Sequence, residues 1–67
     1  MKTAQQTAAA EKFLIAFNAL KAANKETRAE ADRNLDKALT AYRKAFNLSS
    51  AFGFIDCVNH YNQNFAS

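Results

Sequence analysis

Asp56, Cys57 and His60 stand close together near the end of this 67-residue chain, and no other cluster in it could do chemistry as a unit. On a helix Asp56 and His60 fall at i, i+4, where a carboxylate can orient an imidazole. Cys57 and His60 fall at i, i+3, where a base can help form a thiolate nucleophile. The same projection turns Cys57 well to one side of the Asp56–His60 line. Nothing nearby supplies an oxyanion hole. The sequence therefore predicts a small, semi-buried apolar cysteine beside a solvated or surface-paired histidine, and no catalytic residue. Metal binding has less support, because structural zinc takes four Cys or His ligands and the chain holds one of each. No cofactor, metal or small-molecule substrate is expected.

Phosphate contact is the second chemistry to weigh. Arg33, Lys37 and Lys44 lie at i, i+4 and i+11 on the outer face of a predicted helix, a line able to touch a nucleic-acid backbone. Lys12, Lys21 and Lys25 extend it if a hairpin turns them the right way. Glu30, Asp32 and Asp36 are interspersed, so Arg33 can pair with Asp36 or Glu30 and Arg28 with Asp32. The net charge is +3 and no run of like charge exceeds two residues. No Gly-rich phosphate loop, RNP-type pattern or zinc-finger spacing appears. Nucleic-acid binding is thus the alternative reading.

The elements that must position these groups are helices. There is no proline, one glycine, much alanine and few β-branched residues, so propensity and period agree. The first helix is predicted over about 3–23, with Ala9, Ala10, Phe13, Phe17 and Leu20 on one face. Ala4, Ala8, Ile15, Ala19 and Ala22 make a second apolar strip, wider than a helix packed on one side needs. Thr27-Arg28-Ala29-Glu30 reads as a capping box opening a second helix over about 28–47. Its stripe is Ala31, Leu35, Ala38, Leu39, Tyr42 and Phe46. The short link favours an antiparallel hairpin. Ser49 or Ser50 can cap a third helix over about 50–64, with Phe54, Val58, Tyr61 and Phe65 on one side and Ile55 beside them. The fold class is all-α: one small domain over 1–67, a hairpin with a short C-terminal helix packed across it.

A domain this short has a thin core and is marginal alone. One cysteine excludes an internal disulfide and suits a reducing compartment. No apolar run approaches the ~18 residues of a membrane span. Glu11 and Lys12 interrupt the N-terminal region before a signal-like stretch forms. Asn47-Leu48-Ser49 matches a glycosylation triplet, which without export is a chance match. A cytoplasmic protein is expected.

After Lys44 the only formal charge is Asp56, yet the stretch holds Phe46, Phe52, Phe54, Tyr61 and Phe65. Half of this is explained by a lid on the core. Phe52 projects off the lid line and Leu14 sits in the polar sector of the first helix. Asn59, Asn62, Gln63 and Asn64 give a neutral amide surround, as interface cores have. The expected function is a non-catalytic protein-interaction module, an accessory or inhibitor-type helical protein of the kind phages and mobile elements carry. It would dock on a protein partner or its own copy through Leu14, Ile15, Phe52, Asn59 and Tyr61.

Overall fold

A computed structural model describes residues 2–65, which form three α-helices and no strand. Helix α1 spans Ala4–Ala22 and begins on a capping box. Thr3 Oγ1 accepts the Gln6 N–H at 3.0 Å, and Gln6 Oε1 accepts the Thr3 N–H at 3.0 Å. Two amides left free at a helix start are satisfied reciprocally. The Gln6 amide also donates to the Ala45 carbonyl at 3.2 Å, tying the start of α1 to the end of the next helix.

Helix α2 spans Arg28–Ala45, but Thr27 makes no side-chain cap. The capping box lies three residues earlier than the sequence suggested. Asn24 Oδ1 accepts the N–H groups of Glu26 and Thr27 at 2.9 and 3.1 Å, while Thr27 Oγ1 accepts the Asn24 N–H at 3.1 Å. Thr27 is therefore the partner that reaches back, and Asn24 is the cap. The Thr27 backbone is already helical (φ −105°, ψ −4°), and Arg28 N–H bonds the Asn24 carbonyl at 2.9 Å. Asn24→Ala should cost about 1 kcal/mol, more than Glu30→Ala, in thermal or chemical denaturation. Equal effects would restore the box at Thr27.

The end of α2 is set by Asn47, the one non-glycine residue with positive φ (55°) among the described residues. Leu48 N–H bonds the Arg43 carbonyl at 2.8 Å and Asn47 N–H bonds the Lys44 carbonyl at 3.4 Å. This is the Schellman arrangement, with asparagine in the left-handed position that glycine more often fills. The Asn-Leu pair is thereby given a structural use, with Leu48 packed on the core.

The third helix starts later than predicted. Ser49 Oγ accepts the Ala51 N–H at 3.1 Å and the Ser49 carbonyl accepts the Phe52 N–H at 3.0 Å, so the serine closes a turn and caps no helix. Helix α3 spans Phe54–Phe65. Its first turn is held by Asp56, whose Oδ2 accepts the Gly53 N–H at 3.1 Å.

Helices α1 and α2 pack antiparallel, and α3 lies across one face of the pair. The core is Ala10, Phe13 and Ala16 of α1, Leu35, Ala38, Leu39 and Tyr42 of α2, and Cys57 of α3. Alanines at the α1–α2 seam let the backbones approach; Phe13 fills the space under the lid. Its ring lies 5.1 Å from Tyr42, 6.3 Å from Phe54 and 6.2 Å from Tyr61, joining all three helices. Two apolar placements differ from expectation. Ile55, expected beside the lid residues, is 72 % exposed and turned away from them. The buried side of α3 is centred toward Cys57, which rotates Ile55 outward. Phe52, expected to project, is half-buried against the core.

Candidate functional site

The three residues able to do chemistry are held apart by separate structural partners. Asp56 caps α3 through Gly53. Cys57 is fully buried. Burial pushes its thiol up, the Arg43 guanidinium pulls the other way, and the Asp56 carboxylate adds to the rise. A thiol so placed is kept in its unreactive, protonated form. His60 turns toward α2, where its Nδ1 lies 2.6 Å from the Tyr42 hydroxyl and its ring meets Phe46 edge-on at 4.9 Å. With the ring proton on Nε2, Nδ1 accepts from the hydroxyl; in the other tautomer the roles exchange. Either way the fully buried Tyr42 hydroxyl is satisfied. Its ionisation is pushed up to about 12 by burial first, then by Cys57 and Tyr61 nearby. Among the described residues no three of His, Cys, Asp and Glu gather as metal ligands would.

The aromatic end is mostly interior. Phe54, Val58, Tyr61 and Phe65 are half-buried and pack on the core. Tyr61 stacks on Phe65 at 5.1 Å. Phe52 contributes its carbonyl, which accepts from Arg43 Nη1 at 2.8 Å and pins the α2–α3 link. Of the five residues expected at an interface, Phe52 and Tyr61 are therefore partly consumed by folding. Asn59 is exposed, Leu14 is 39 % exposed, and Ile15 is 69 % exposed. They do not form one patch around the aromatic end: Ile15 belongs to a groove between α1 and α2.

That groove has a floor of alanine. Its larger part, about 420 Å³, is lined by Lys12, Ile15, Ala16 and Ala19 of α1 and Asn34, Lys37, Ala38 and Ala41 of α2. A second part of about 240 Å³ continues toward the hairpin loop between Ala19, Ala22, Ala23, Thr27, Glu30, Ala31 and Asn34. Ala19 and Asn34 line both parts and mark the junction. Ile15 stands at the rim. The second apolar strip of α1 is thus open: Ala4, Ala8, Ile15, Ala19 and Ala22 are all exposed. The groove was not evident from the chain because it needs the register that sets Ala19 beside Asn34.

Charge along the groove changes sign. Lys12 and Lys37 flank the larger part, and Glu30 flanks the smaller. Arg33, Lys37 and Lys44 are exposed. Among the described residues the one ion pair is Arg28–Asp32 at 3.9 Å, so the expected Arg33 pairing with Asp36 or Glu30 is not made. No helix among the described residues is long and apolar enough to cross a membrane. No family model, curated protein or solved structure matches this chain.

Proposed function

We propose that this chain is a non-catalytic helical module that binds protein through the outer groove of its α1–α2 hairpin. The carrying observation is Ile15, a large apolar side chain left 69 % exposed at the rim of an alanine-floored groove. Scattered exposed apolar residues need no explanation, but one beside a concave apolar surface offers both a knob and a hole. The aromatic end belongs chiefly to the core on this reading, with Leu14 and Asn59 outside the main contact. Immobilised wild-type chain should retain its binding proteins from the native host, and an Ile15→Glu bait of unchanged helicity should lose them. Equal retention by the two baits overturns the reading.

A nucleic-acid interface is the second reading, favoured by Arg33, Lys37 and Lys44 forming no ion pair among the described residues. In the same experiment it would appear as bound nucleic acid that is indifferent to Ile15→Glu, is released by salt, and is lost on Lys37→Glu with Lys44→Glu.

A further inference from the structure

The groove is its own complement. Glu30, Asn34 and Lys37 follow one another along its α2 wall at i, i+4 and i+7, so the acid and the base stand about one turn either side of Asn34. Asn34 sits with Ala19 where the two parts of the groove meet. A rotation of 180° about an axis through this junction, perpendicular to the helices, exchanges the cationic part for the anionic part.

We infer that the groove face pairs with the same face of a second copy, α2 antiparallel to α2, about a two-fold axis at Asn34; this rests on the contact-module reading above. Isologous contact requires that residue i meet j and j meet i. Here Glu30 meets Lys37 of the second copy, Lys37 meets Glu30, and the two Asn34 amides face each other, each with a donor and an acceptor. On α1 the rotation carries Ile15 toward Ala22 and Ala23 of the second copy, where the groove floor is bare. The other possible two-fold runs parallel to the hairpin. It seats α1 on the second copy's α2 at the same level and brings Lys12 against Lys37, a like-charge contact with no compensating acid. A foreign occupant would need the same sign change at the same spacing, whereas a second copy carries it already. Pairing would also relieve the thin core of so short a chain.

Sedimentation equilibrium across a wide concentration range tests this. Wild type should pass from monomer to dimer. Glu30→Lys and Lys37→Glu should each weaken the dimer about tenfold, because each reversal turns two attractive exposed pairs into two repulsive ones. The double reversal should recover most of the affinity, and Ile15→Glu should abolish dimerisation; all three residues changed are exposed, so circular dichroism should be unaltered. A wild type that stays monomeric at every concentration overturns the inference, while the contact-module reading survives if Ile15→Glu still strips proteins from the bait. A dimer that the double reversal fails to rescue overturns the antiparallel register. Loss of neither dimer nor bound protein on Ile15→Glu overturns both.

Discussion

Phe13→Ala should leave the chain largely unfolded or lower its melting temperature by at least about 12 °C in a circular-dichroism melt. Removing a buried phenylalanine costs about 3–5 kcal/mol. A chain of this length has only about 3–10 kcal/mol of total stability on the usual per-residue scale. One kcal/mol moves the midpoint of so small a domain by about 4–8 °C. Phe13 is 2 % exposed and touches rings from both other helices, so its loss opens a cavity that no single neighbour can fill. Ile15→Ala, two positions away on the open side of α1, should change stability by no more than about 0.5 kcal/mol. Similar shifts for the two variants would mean that the α1 face has been assigned the wrong way round.

Stability should also fall in alkali, and the Tyr42 hydroxyl alone should account for about 3 kcal/mol of the loss as pH climbs from below 10 to above 12. The Tyr42 hydroxyl is held near 12 in the fold against an ordinary value of 10.0, because burial disfavours its anion. A group raised in the folded state contributes fully below its unfolded value and loses that contribution as pH climbs through the folded one. The window is therefore pH 10 to 12, and two pH units correspond to about 3 kcal/mol. Burial raises the Cys57 thiol as well, so Tyr42→Phe supplies the baseline. That variant should lose most of the alkaline slope while giving up only about 1 kcal/mol at neutral pH, since His60 is half-buried and can turn to water for a partner. Urea denaturation at pH 8 and above pH 11 makes the comparison. An unchanged slope in Tyr42→Phe would show that the Tyr42 anion is tolerated in place.

The two long helices were legible because their apolar residues recur at helical spacing over many turns. Phe13, Leu35, Leu39 and Tyr42 fall in the core as that period requires. Their starts and stops were less legible, for a local reason. Asn24 and Thr27 are both good caps, and the choice between them is made by backbone geometry three residues apart. Likewise Ser49 can close a turn as easily as it can cap a helix, and Gly53 with Asp56 takes the start of α3 instead. A helix of twelve residues offers too few turns to fix its rotation, which is why Ile55 reads from the chain as standing beside the lid residues. His60 could not be given its partner from the chain, because Tyr42 lies eighteen residues away on another helix. The groove was the least visible feature: each wall reads as an ordinary solvated face, and Glu30, Asn34 and Lys37 gain meaning only beside Ala19 and Ile15.

Backbone amide shifts of the ¹⁵N-labelled chain, followed on dilution, test most directly whether two copies of the chain dock through this groove. Concentration-dependent shifts are expected at Ile15, Ala19, Glu30, Asn34 and Lys37, with Ile55 and Asn59 unmoved. Shifts that ignore concentration along the groove, or that gather at Phe52, Asn59 and Tyr61, would contradict it.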